Sequence, residues 1–119
     1  LTSPAPSEVY QSYRGRTDGG TITISLGGFG AGQSSVVRLH WADIGIGAGA
    51  GACVMDVSAQ GESVLDGVDV FTLAAGTMNG LILEFEVVAD LAGEVEIVIA
   101  PHFGTSKVFI SGLEAIAPP

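Results

Sequence analysis

Positive charge is what this chain has least of. Arg14, Arg16, Arg38 and Lys107 are its only fixed cations, against thirteen acids, for a net charge of −9. A polyanion could gain no ion-release term from such a surface, which argues against nucleic acid and anionic membrane as partners. Cysteine is nearly absent as well. The single Cys53 excludes an internal disulfide and is too few for a thiolate zinc centre. It sits within a β-branched run, so it reads as a small buried hydrophobe rather than a nucleophile. Long apolar runs are missing too: glycines and acids interrupt each before it reaches the length of a membrane-spanning helix. Nor does any segment hold a helical period with caps at both ends.

Apolar residues nevertheless make up 47% of the 119 residues, so most of the chain is expected to be ordered around one core. The stretch that organises the rest runs from Val36 to Val57. In VVRLHWADI, Val37, Leu39 and Trp41 fall on one side of an extended chain and Arg38, His40 and Ala42 on the other. GIGAGAGA then offers almost no side chains to pack, and CVMDV resumes a strand, with Met55 and Val57 on one face. A strand that makes a glycine-rich excursion and returns is a common place for a β-scaffold to carry function.

The remaining segments follow the same two-residue period. Val9–Arg14 alternates, RGRTDGG reads as a turn, and TITISL directs Ile22, Ile24 and Leu26 inward. GGFGAGQSS is a long loop, and Gln60-Gly61 marks a two-residue hairpin. ESVLDG follows the hairpin, and Val68–Leu73 reads as a further strand. Leu81–Val88 and Glu94–Ile99 both alternate apolar residues with glutamates, PHFGTS is a loop, and Lys107–Ile116 closes the chain. Many short strands between turn signals predict an all-β fold, a jelly-roll sandwich of two antiparallel sheets. LTSPAPS at residues 1–7 and the proline ending at 118–119 read as linker, with the domain over 8–117, as in a module from a longer protein.

Four pieces taken in order, VYQSYR, RLHWADI, VMDVSAQGESVLDGVDVF and SKVFISGLEAI, resemble the malectin-like carbohydrate-binding domains. The resemblance implies a galactose-binding-like β-sandwich without catalytic activity. It implies an accessory module of a secreted or cell-surface protein, read as bacterial, whose partners are an oligo- or polysaccharide and the other domains of its parent chain. The residues it places at the ligand end are Tyr13, Arg14, Phe29, Asp43, Ile46, Phe103 and Lys107. Arg14 and Asp43 match charged positions of the family pattern. By contrast, the family's loop aromatics fall at Gly15, Gly45 and Ile46, and the acid three residues before Lys107 falls at Gly104.

Sugar recognition needs flat apolar surface beside fixed polar groups. Trp41 and Tyr13 lie on the apolar sides of their strands and read as packed. Phe103 is the best candidate for an exposed ring, and Phe29, flanked by glycines, either faces solvent or lids the core. A metal centre on His40 and His102 is not expected, and His102 reads as solvated. No cofactor is predicted; Asp66, Asp69 and the carbonyls between them are where a calcium ion could sit, although no dense Asp/Asn loop accompanies them. Glu84, Glu86, Glu94 and Glu96 read as a solvated surface rather than paired acids across a cleft, so no glycosidase chemistry is expected. Readings as a protein-interaction module or a spacer stay open beside sugar binding.

Overall fold

A computed structural model describes residues 14–16, 19–42, 53–73, 80–105 and 107–116. Nine strands are present among them: β1 (Arg14–Arg16), β2 (Ile22–Leu26), β3 (Ser34–Ala42), β4 (Val54–Ala59), β5 (Glu62–Asp69), β6 (Gly80–Val88), β7 (Val95–Pro101), β8 (Val108–Ile110) and β9 (Gly112–Ile116). One helical turn, α1 (Val70–Leu73), follows β5. One layer is the antiparallel sheet β2-β7-β4-β5. The other is β6-β3-β9, extended by the short pair β1-β8 through the direct run of β8 into β9. This is the all-β sandwich the alternation predicts. Apart from the β4–β5 hairpin and the β8–β9 step, every connection from β2 onward crosses between layers, which is the connectivity of a jelly roll.

The reason these segments face one another is the two-residue period itself. Val37, Leu39 and Trp41 from β3 meet Met55 and Val57 from β4 and Ile97 and Ile99 from β7, all completely buried. Each such side chain contributes about 1.5–3 kcal/mol relative to remaining in water. Phe109 of β8 is buried in the same cluster. The Trp41 indole N–H donates to the Phe109 carbonyl, and the Phe109 N–H points at the Met55 sulfur 3.3 Å away. Trp41 is therefore a core residue, as its place in the alternation predicts. Cys53 is buried with its thiol directed at the Lys107 carbonyl at 3.2 Å, a packed thiol as expected. On the outer face of the second layer, Arg38 pairs with Glu84 and Glu114, and His40, also buried, shares Glu114 at 3.0 Å.

The hairpin at Gln60-Gly61 forms as predicted, with φ of 53° and 80°, the mirror-image turn that matches the twist of its strands. The Gln60 side chain closes this end by donating to the Val88 and Glu94 carbonyls while accepting from the Glu96 N–H. Two segments differ from expectation. Arg14–Arg16 is strand rather than turn, because its backbone pairs with β8 and sets Gly15 opposite the buried Phe109. Val68–Leu73 is not a strand of its own. β5 runs on through Asp69, whose carboxylate then accepts from the Thr72 N–H and hydroxyl and turns the chain into α1.

Replacing Trp41 by Phe would remove the buried indole N–H that donates to the Phe109 carbonyl and open space in the core. We expect a loss of about 2–4 kcal/mol in urea unfolding followed by far-UV circular dichroism, since the variant has no tryptophan fluorescence. Gly93 has φ +75°, and a Cβ there would lie 2.1 Å from the Phe29 carbonyl oxygen. Gly93→Ala should therefore cost at least about 2 kcal/mol in the same assay.

Candidate functional site

The antiparallel ladder fixes which loops share an end of the sandwich. At one pole β7 finishes at Pro101 opposite Met55, and the next residue, His102, donates its N–H to the Val54 carbonyl at 2.8 Å. β3 also ends at this pole and Cys53 starts here, so the chain enters and leaves the glycine-alanine run on this side. The run itself lies outside the described residues. The loop from His102 to Lys107 is tied down by Thr105, whose hydroxyl donates to the Val54 and His102 carbonyls, both at 2.9 Å.

Three polar side chains converge beside this loop, on the outer face of the four-stranded sheet. Along β7, Glu96, Val98 and Ala100 face outward, and His102 continues that phase one step beyond the strand. On β4 the outward residues are Val54, Asp56 and Ser58. Because Asp56 pairs with Ala100, its carboxylate comes alongside the His102 ring, with Oδ1 2.8 Å from Nδ1. β5 delivers the third group through an irregularity. Met55 pairs with Val68 and Val57 with Leu65, so Asp66 and Gly67 together oppose the single residue Asp56. Gly67 takes φ +68° in this bulge and donates its N–H to Asp56 Oδ1 at 2.9 Å. Asp66 is thereby turned toward the same ring, with Oδ1 3.8 Å from His102 Nδ1.

These contacts shift both ends of the pair. For His102 the hydrogen bond with Asp56 raises the pKa above its usual value, against some desolvation, and the charges of Asp56 and Asp66 add to the rise. Burial alone would raise the Asp56 carboxyl. Its hydrogen bonds with Gly67, His102 and Asp66, together with the histidine charge, hold it below the usual range instead.

Phe103, next to this cluster, is 97% exposed, and no other aromatic ring among the described side chains is exposed. Lys107 lies at the end of the same loop, half-buried. Arg14 pairs with Ile110, whereas Arg16, opposite Val108, is the β1 residue at this pole. The Arg14 side chain and the predicted site residues Tyr13, Asp43 and Ile46 lie outside the described residues.

Phe29 is the clear departure. It sits at the other pole, where β2 ends opposite the start of β7, and its N–H donates to the Gly93 carbonyl at 3.1 Å. Its ring packs partly buried against the core. The reason is topological: β2 antiparallel to β7 sends the GGFG loop away from the end where β7 reaches Pro101. Phe29 and Phe103 therefore cannot form one binding surface. Between Asp66 and Asp69, where a calcium ion could sit by sequence, the carboxylates turn to different partners: Asp69 accepts from Thr72 while Asp66 turns to His102. The glutamates are solvated as expected but do not share a surface. Glu84 and Glu86 lie on β6 and Glu96 on β7, strands of different layers.

The His102–Asp56 contact makes stability pH-dependent with a determinate sign. A raised histidine pKa contributes fully below the ordinary value of 6.5 and is lost as pH rises through the higher folded value. A lowered aspartate pKa contributes above the ordinary 3.8 and is lost as pH falls through the lower folded value. The stability difference between the native chain and His102→Gln should thus be greatest between those two values and shrink on either side. Chelator-treated protein unfolded in urea across pH 3–9 checks this, and a difference that does not vary with pH would contradict it.

Comparison of the sequence with protein-family models and with curated proteins gives no match. Solved structures of similar fold do exist. One is the ANX2 ectodomain of Arabidopsis thaliana, with TM-score 0.85 and 16% identity over 96% of this chain and 35% of that one. Another is a chain in the structure of the plant peptide RALF23 in complex with FER and LLG2, with TM-score 0.81 and 14% identity over 97% of this chain and 34% of that one. A third is the β-glucuronidase of Bacteroides uniformis, with TM-score 0.70 and 14% identity over 93% of this chain and 12% of that one. The chain spans about a third of the length of the ANX2 ectodomain and of the matched chain in the RALF23 complex. Its fold is that of a malectin-like domain, as the resemblance of its sequence implies.

Proposed function

We propose that this chain is a non-catalytic module of a secreted or cell-surface protein that binds a neutral oligo- or polysaccharide at the His102–Lys107 pole. The observation that carries the reading is Phe103, almost fully exposed beside a histidine and two carboxylates. An uncovered ring costs apolar exposure, and it supplies the flat surface on which the C–H face of a sugar can rest. Asp66 and the polar atoms of the loop stand ready to meet hydroxyl groups. Lys107 borders the same surface. Tyr13, Arg14, Asp43 and Ile46 remain proposed contributors from segments leading to or crossing this pole, whereas Phe29 is not one.

Absence of catalysis is supported by the placement of the glutamates on different layers rather than across a cleft. The match to about a third of longer ectodomain chains supports a module over residues 8–117 that works beside other domains. A bacterial source is a reading of the family resemblance alone.

One observation favours a second reading, a module that binds a peptide or protein: a similar fold occurs in the RALF23, FER and LLG2 complex. Sugar binding is preferred because Phe103, the most exposed large apolar side chain among the described residues, stands directly beside fixed polar groups.

A neutral-glycan array followed by calorimetry on the retained compound tests the reading. Phe103→Ala should weaken binding by about tenfold or more, as expected when a stacking ring is lost, with an unchanged unfolding midpoint. Retention of no neutral glycan, or equal binding by Phe103→Ala, would overturn it.

A further inference from the structure

We infer that Asp56, Asp66 and His102 form a binding site for one divalent transition-metal ion of the zinc class. Their candidate ligand atoms, one from each residue, all lie within 4.8 Å of one another. Three strands deliver them. Asp56 comes from the middle of β4, Asp66 from the bulge in β5, and His102 from the residue that continues β7, so the ladders that hold the sheet also hold the ligands. A site set on paired strands is formed before the ion arrives, which lowers the cost of binding.

The donor set selects the ion. One imidazole nitrogen with two carboxylates suits zinc, which takes histidine and aspartate at about 2.0–2.2 Å in tetrahedral sites. Neighbouring ligands in such a site stand about 3.2–3.6 Å apart. The distances here, 2.8 Å from Asp56 and 3.8 Å from Asp66 to His102 Nδ1, bracket that spacing, and all three candidate ligand atoms lie within 4.8 Å of one another, so rotation of side chains would close the set around an ion. Calcium is disfavoured, because it needs six or more oxygens and the third donor is a nitrogen.

Electrostatics point the same way. Two carboxylates face one ring, and Arg38, the fixed cation paired on the other layer, is engaged by Glu84 and Glu114. A divalent ion would balance both acids, where a protonated histidine balances one. Access is open: Asp66 is 77% exposed, and an atom added at Gly67 or Gly104 would meet nothing within 4 Å, which leaves room for water to complete the coordination. His102 would bind through Nδ1 as a neutral imidazole, with its proton on Nε2.

The site shares Asp66 and His102 with the surface proposed for sugar, but its test uses no sugar, so failure of either reading is seen separately. Chelator-treated protein is titrated with Zn2+ by calorimetry at pH 7.5, and its melting temperature is followed with and without the ion. One Zn2+ per chain and a raised melting temperature are expected. His102→Ala and Asp66→Asn should each weaken binding at least about tenfold, since loss of a supporting residue alone commonly costs that much. Glu114→Gln, which removes the carboxylate beside the other histidine, should leave it unchanged. Asp66 is on the surface, so that variant remains informative even if His102→Ala proves unstable. Absence of Zn2+ binding by the native chain overturns the proposal. So does binding that survives in Asp66→Asn, or a preference for Ca2+ over Zn2+.

Discussion

The sandwich depends on one buried meeting point, where the Trp41 indole donates to the Phe109 carbonyl and the Phe109 N–H reaches the Met55 sulfur. β3 and β8 belong to one layer and β4 to the other, so this chain of contacts joins both sheets at the centre of the core. It also explains why a tryptophan is tolerated there. A buried indole needs an acceptor, and the Phe109 carbonyl in the middle of β8 supplies one. The pole that carries His102, Phe103 and Lys107 is anchored immediately beyond this point, through the Cys53 thiol and the Thr105 hydroxyl.

Rigidity beneath the pole gives its exposed groups their meaning. A ring on a mobile loop would lose conformational freedom on binding, whereas Phe103 sits in a loop closed by the Thr105 N–H and hydroxyl on the His102 carbonyl. The β5 bulge has a comparable effect on Asp66. In a regular ladder the residue opposite Asp56 would be a single one, and the extra residue places a second carboxylate beside the first. Both the exposed ring and the converged polar cluster thus result from departures from ideal strand geometry, while the ideal part of the sheet holds them still.

Much of the fold was legible because burial on a strand follows a two-residue period. The inward sets Val37/Leu39/Trp41, Met55/Val57 and Val95/Ile97/Ile99 were readable as such, as was the Gln60-Gly61 turn. In the sequence Gly67 suggests a turn and so a strand break before Val68, whereas its positive φ serves a bulge within a continuous strand. The candidate site was legible in part. Phe103 in a glycine-bordered loop signalled exposure. By its neighbours alone His102 reads as an isolated solvated residue, whereas extending the phase of Glu96, Val98 and Ala100 by one step sets it on the outward face of β7.

The chain's own pattern of apolar and polar residues determined that it is all-β, which faces are buried, and that Trp41 and Cys53 are core residues, because these follow from spacing along one strand. Which loops share a pole, and which acids share a histidine, only the tertiary structure decided. Those depend on pairing between segments such as β4 and β7, 46 residues apart at Asp56 and His102, and strand pairing is made by backbone hydrogen bonds that are nearly blind to side-chain identity. For the same reason Phe29 and Phe103, alike in composition and glycine neighbours, ended at opposite poles.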